Sequence, residues 1–373
     1  MLSQVLILPA IARSLGAIAS FRHHLSLVLC SLAAVSSVHL LCPSRNTQLT
    51  IAQGRLLRGD CSRAIAQGRF LRSTVFQEHS LSIGLIQRSE PVAVQEKTLT
   101  CGQLEWFYRV VEAEASSTRV PVVLLHGLPA TGHSWRGVLL ALEERGFGAI
   151  APDWIGFGAS AKPDRRTFAY TPDAYITALE DFLAALGIQR CSLIVQGFIG
   201  AIGLQYALRH PDQIERLVVL NAPLTSRAKL PWKMKQLGLP LAGEMLTQDP
   251  LLVDRTLESG GGYVIKDADL DIYRRPFLKS SDAGRALFAV VQNLRLAQTT
   301  AEIQQGFPEW PRPVLVAWGL RDRWLPVDLA TEFVQVSPEA ELVQLPDVGH
   351  YPQIDWFDKV NEVVIPFLLR SVI

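Results

Sequence analysis

The sequence predicts an α/β fold, built on a mostly parallel sheet with an antiparallel N-terminal edge, helices on both faces and a helical insertion. Three observations predict it. From Glu96 onward, short apolar and β-branched runs alternate with helical patterns, the signature of a parallel sheet covered on both sides. The turns that follow those runs hold the glycines and the polar residues. One long stretch, about 224–305, breaks the alternation with helical periodicity and the triplet Gly260-Gly261-Gly262.

The elements follow in order. Residues 98–111 read as an antiparallel pair turning at Gly102. Residues 119–126 (RVPVVLLH) predict the first buried strand and 148–154 (GAIAPDW) the second. The third is 191–196 (CSLIVQ) and the fourth 216–221 (RLVVLN), with 313–319 (PVLVAWG) and 341–345 (ELVQL) completing the series. In the clearest helix, Thr171 serves as N-cap and Pro172 as first residue. Tyr175, Leu179, Phe182, Leu183 and Leu186 share one face, and Gly187 ends it. The insertion at 224–305 is expected over the C-terminal edge of the sheet, where folds of this class place ligands, with the Gly260 triplet as a flexible turn.

The N-terminal region has another texture. The first 59 residues contain no Asp or Glu, while Arg13, Arg22, Arg45, Arg55 and Arg58 punctuate them. An Arg- and Ser-rich, acid-free start resembles a transit peptide. Residues 25–41 are apolar but interrupted by serines, and fall short of the roughly 20 residues a span needs. A near-duplicate, IAQGRLLR at Ile51 and IAQGRFLR at Ile65, gives two copies, too few for a solenoid. Residues 1–92 are therefore expected to be a leader or a poorly ordered region, and 93–373 the folded domain. The compartment is a plastid or other organelle if the leader is genuine, and cytoplasmic if it is not.

Composition narrows the function. Half the residues are apolar (49%), so a large core can form, and a net charge of +1 supplies no footprint for nucleic acid. The five cysteines show neither a disulfide framework nor metal-ligand spacing, and neither a GxGxxG nor a GxxxxGK[ST] occurs in strand context. No metal and no cofactor are called for.

Five segments at strand ends carry chemistry, the last two as a pair. His126-Gly127-Leu128-Pro129 follows the first strand, where a tight turn can aim the Leu128 amide at a developing oxyanion. In Pro152-Asp153-Trp154-Ile155-Gly156-Phe157-Gly158, Asp153 reads as a structural hydrogen-bonding residue. Gln196-Gly197-Phe198-Ile199-Gly200 spans a strand-to-helix junction. Gly319-Leu320-Arg321-Asp322 and Asp347-Val348-Gly349-His350 end adjacent strands, so a carboxylate and an imidazole can meet at the sheet edge.

This set, in this order over some 275 residues, resembles the α/β-hydrolase family, most closely its haloalkane dehalogenase and epoxide hydrolase branch. The resemblance implies that Asp322 is the triad acid and His350 the base. It further implies that Leu128 and Phe198 supply the oxyanion hole, and that residues 224–305 form a cap over a small apolar molecule. His126, Gly127, Gln196 and Trp154 would line the pocket.

One position departs from the pattern. The family's nucleophile sits on a strained elbow between strand and helix, and aligning back from Leu208-Arg209-His210-Pro211 puts Gly197 there. A one-residue shift would put Phe198 there instead; neither can attack carbon. Glycine adopts such dihedrals freely, and Ile199 is bulky where strand and helix approach closely. Leu128 and Phe198 also stand where a dehalogenase would hold its halide with Asn and Trp, which argues against halide release. Three readings stay open: general-base chemistry by His350 and Asp322 without a covalent intermediate, a non-catalytic protein binding a small ligand or partner, and a conventional hydrolase with a displaced nucleophile such as Ser160 or Ser192.

Overall fold

The computed structural model describes residues 94–114, 116–249 and 251–370, together with the backbone of a short antiparallel ribbon, β1 (His39–Leu41) and β2 (Gln48–Thr50). The chain divides into two units, Met1–Ile86 and Gln87–Ile373, and the ribbon is what is described of the first. The leader and the near-duplicate expected within 1–92 otherwise lie outside the described residues.

In the second unit, β3 (Gln95–Cys101) and β4 (Leu104–Val111) form the expected antiparallel edge around Gly102. The strands β5 (Val122–Leu125), β6 (Ala149–Pro152), β7 (Cys191–Gln196), β8 (Ile214–Leu220), β9 (Val314–Gly319) and β10 (Ala340–Leu345) are mutually parallel. The order across the sheet is β10-β9-β8-β7-β5-β6-β4-β3. All six parallel strands were legible as apolar runs. The first starts at Val122 instead of residue 119 because Pro121 has no N–H to give the ladder; only its carbonyl takes part, accepting from Ser192 N at 2.9 Å.

Period-two alternation sorts each strand's side chains onto two cores. Val123 and Leu125 of β5, with Leu193 and Val195 of β7, pack on one face under α2 (Pro172–Ala185), α3 (Gly197–Arg209) and α10 (Asp328–Val336). Val122, Leu124 and Ile194 face the other way, under α1 (Arg136–Glu144) and α12 (Phe357–Leu369). The Thr171 hydroxyl caps α2 by accepting from Ala174 N, with Pro172 at its first position.

Between β8 and β9 lies the helical insertion: α4 (Trp232–Gln236), α5 (Ala242–Leu246), α6 (Leu252–Gly261), α7 (Asp267–Lys279), α8 (Ser281–Asn293) and α9 (Leu296–Gly306). The Gly260 triplet is not a flexible turn. Gly260 and Gly261 are the last turn of α6, and Gly262, at φ +77°, supplies the left-handed residue that ends it. A short α11 (Pro352–Asp355) follows β10.

Candidate functional site

The parallel strands bring their C-terminal ends to one edge, and the predicted site residues meet there. After β9, Asp322 turns back over the sheet; after β10, His350 does the same. Its Nδ1 lies 2.7 Å from Asp322 Oδ2, with both side chains buried. The carboxylate is held by further donors. Trp324 N and Leu325 N give to Oδ1 at 2.7 and 3.0 Å, and Asn221 Nδ2 gives to Oδ2 at 2.8 Å. Because Oδ2 is an acceptor, Nδ1 donates to it, and Nε2 is the ring nitrogen turned away from Asp322. Nε2 has no hydrogen-bond partner although it is buried. A buried polar atom left unpaired costs about 1–3 kcal/mol.

Gly197 opens α3 directly after β7, at φ +69°. A Cβ built there would lie 3.1 Å from Gly127 Cα, 3.4 Å from His350 Nε2 and 3.9 Å from Leu128 N. The residue at position 197 therefore stands between the imidazole and the Leu128 amide. Ile199 is fully buried, yet the tightest approach of α3 to the sheet falls one turn later, at Gly203, where a Cβ would come within 2.6 Å of Val195 Cγ1.

Aromatic side chains close around the ring. Trp324 lies 4.6 Å from the imidazole centroid, Tyr351 4.9 Å, and Phe198 stacks on it at 5.6 Å and 29°. Tyr351 Oη donates to Leu128 O at 2.7 Å, and burial pushes its phenol well above the usual value. The end of α6 seats on the same group: His350 N donates to Gly260 O at 3.0 Å, and a Cβ on Gly260 would come within 2.6 Å of Trp324 and 2.7 Å of Tyr351. Only a residue without a side chain lets the helix settle there.

The other predicted pocket residues are buried; His126, Gly127 and Trp154 are bonded among themselves, and Gln196 is bonded to the backbone of His350. Trp154 N donates to His126 Nε2 at 3.0 Å, and Trp154 Nε1 to His126 O at 3.1 Å. His126 Nε2 must then be an acceptor, so Nδ1 carries the proton and gives it to Gly127 O at 2.9 Å. Burial pushes this imidazole down to about 4, which keeps it neutral. Gln196 Nε2 donates to His350 O at 2.7 Å. Asp153 has the structural bonds expected of it, accepting from Gly132 N, Ala159 N and Arg109. Ser160 Oγ donates to Asp153 O, and Ser192 lies within β7; neither hydroxyl is bonded to His350 Nε2.

A cleft of about 610 Å³ lined by His133, Tyr273, Gln353 and Asp355 comes near the site from one side. Gln353 separates it from the junction, donating to Gln196 Oε1 at 3.3 Å. Among the described residues no cluster of three or more His, Cys, Asp or Glu is placed to hold a metal ion. Asn221 and Tyr351 were missed from sequence. Asn221 did leave a signal: it is the one polar residue closing the apolar run RLVVLN, at the same strand-end level as the others.

Comparison with known proteins agrees with this architecture. A family model described as the alpha/beta hydrolase fold matches residues 120–356. A cis-3-alkyl-4-alkyloxetan-2-one decarboxylase of Shewanella oneidensis is 31% identical over 269 residues, covering 67% of this chain and 82% of that protein. Haloalkane dehalogenase 2 of Mycobacterium tuberculosis is 26% identical over 272 residues, covering 66% and 87%. Among solved structures, haloalkane dehalogenase DbeA of Bradyrhizobium elkani superposes with a TM-score of 0.67 at 21% identity, over 74% of this chain and 98% of that one.

Proposed function

The chain belongs to the α/β-hydrolase family, and from that premise we propose that it has dispensed with covalent catalysis and uses His350, oriented by Asp322, as a general base on a small apolar substrate. The observation that carries this reading is the state of the imidazole. Its Nδ1 is bonded to Asp322 while its Nε2 is buried, unpaired and aimed at the Cβ position of Gly197. A lone pair kept out of water in this way is poised to take a proton from a bound water or from an acidic C–H.

Position 197 supports the non-covalent half of the reading. An attacking atom would have to hang from the Cβ that glycine lacks, between the imidazole and the Leu128 amide. The Leu128 and Phe198 amides remain as candidate donors to developing negative charge, and the helical insertion, with α6 seated on His350, serves as the cap. The relatives named above act on an alkyl-substituted oxetanone and on haloalkanes by their names. That suits an apolar substrate against Phe198 and Trp324, while leaving the reacting group of this protein's own substrate unspecified.

A second reading, a non-catalytic binder on the same fold, is favoured by one observation: Phe198, Trp324 and Tyr351 close on the ring so tightly that His350 is fully buried. The two readings part in one experiment. Wild type and His350→Ala are assayed on a panel of esters, epoxides and acidic ketones, with thermal unfolding as the control for folding. General-base chemistry predicts turnover that His350→Ala abolishes without loss of fold. Absence of turnover, with panel compounds still raising the unfolding temperature in both proteins, would establish the binder instead.

A further inference from the structure

The insertion presents to solvent an apolar face that the catalytic reading does not use. In the segment 226–248, the side chains that hold α4 and α5 to the molecule point inward: Met234 and Leu237 are buried, and Gly243 fits against Leu237 and Phe288. The outward side is also apolar. Trp232 is 63% exposed, Leu241 77% and Met245 77%, with Leu239 and Leu246 more than a third exposed. Leu241 immediately precedes α5 and Met245 lies within it, with Met245 N donating to Leu241 O at 3.2 Å.

Nothing in the fold accounts for leucine at 241. It sits at the centre of a tight turn, at φ +65° and ψ −55°, closed by Ala242 N donating to Pro240 O at 2.8 Å, a strained conformation for a residue with a side chain. It gains nothing from burial in return. Charge is concentrated beside it. The segment carries Arg227, Lys229, Lys233 and Lys235 against a single acid, Glu244, in a chain whose net charge is only +1. Arg227 is paired with Glu332; among the described residues, the three lysines form no ion pair.

We propose that this face of the insertion, Lys229 through Leu246, docks on an anionic lipid surface. The chemistry is that of an interfacial helix pair: Trp, Leu and Met enter the headgroup boundary while lysines on flexible stems remain at the phosphates. No helix among the described residues is long and apolar enough to cross a membrane, so attachment is peripheral. It would place the insertion against the phase in which apolar molecules dissolve. The inference stands apart from what happens at His350 and survives if that site is inert.

Flotation of the full chain with vesicles tests it, using phosphatidylcholine alone and phosphatidylcholine mixed with phosphatidylglycerol. Two variants separate this face from the basic N-terminal region, which both retain: Trp232→Ser/Leu241→Asn/Met245→Ser, and Lys229→Gln/Lys233→Gln/Lys235→Gln. Wild type should float with the mixed vesicles and much less with neutral ones. Each lysine lost should weaken partitioning roughly fivefold, and the apolar variant should lose it while unfolding at the wild-type temperature or above. Flotation of both variants equal to wild type, or no flotation of wild type, would overturn the proposal. So would wild-type self-association that the apolar variant abolishes, since the face would then belong to a second copy of the chain.

Discussion

Gly197→Ser is the substitution whose consequences the structure states most fully. The added Cβ meets Gly127 Cα at 3.1 Å, a contact that requires the neighbouring turn to give by a few tenths of an ångström, and lies 3.4 Å from His350 Nε2. At φ +69° any side chain costs about 1–3 kcal/mol. In domains of this general size each kcal/mol lowers the unfolding temperature by about 2–4 °C, so a fall of several degrees is expected. Gly197→Ala should share the whole of that loss, because strain and crowding belong to the Cβ. The hydroxyl is what separates the two variants. In Ser it lies within hydrogen-bond reach of Nε2, and with a p-nitrophenyl ester it should give a burst of p-nitrophenol approaching one equivalent, with none from Ala. Stopped-flow absorbance reads the burst and differential scanning calorimetry reads the strain. If Ser and Ala burst alike, or if neither is destabilised, the placement of Gly197 between His350 Nε2 and the Leu128 amide is wrong.

Two further outcomes follow. Gly260→Ala should destabilise by about 1–3 kcal/mol in chemical denaturation, because its Cβ would press on Trp324 and Tyr351 at 2.6–2.7 Å; an unchanged midpoint would mean that α6 does not seat on the site. Burial raises the Asp355 carboxyl to about 7, so the folded state holds a proton that the unfolded chain releases near 4, and ionisation weakens the fold as pH rises from 4 through 7. Asp355→Asn should therefore gain stability relative to wild type above about pH 7, by a few kcal/mol at most, and show little difference near pH 4; a gain confined to low pH would contradict the assignment.

Much of this was legible in the chain. Parallel strands buried on both faces need runs such as CSLIVQ and RLVVL, and every predicted strand was found, with shifts of up to three residues where Pro121 or a strand end intervened. The pairing of Asp322 with His350 followed from their places after adjacent strands. What the sequence concealed were contacts between elements far apart in it. Asn221 reaches Asp322 across two strand ends, Tyr351 bonds to the carbonyl of Leu128, and Gly260 is a docking surface where its neighbours suggested a loose turn. His126 and Trp154 looked like pocket residues because they follow strands at the correct edge, but each satisfies the other in the interior. Strand-end position alone does not distinguish a side chain aimed at ligand from one that braces the turn.

The central claim, that no protein atom attacks substrate, is tested most directly by intact-mass measurement of wild type quenched during exposure to activated esters and epoxides. The account predicts an unmodified mass for wild type and a single acyl adduct for Gly197→Ser under the same conditions. A stoichiometric adduct on wild type, mapping to a side chain within reach of His350, would contradict it.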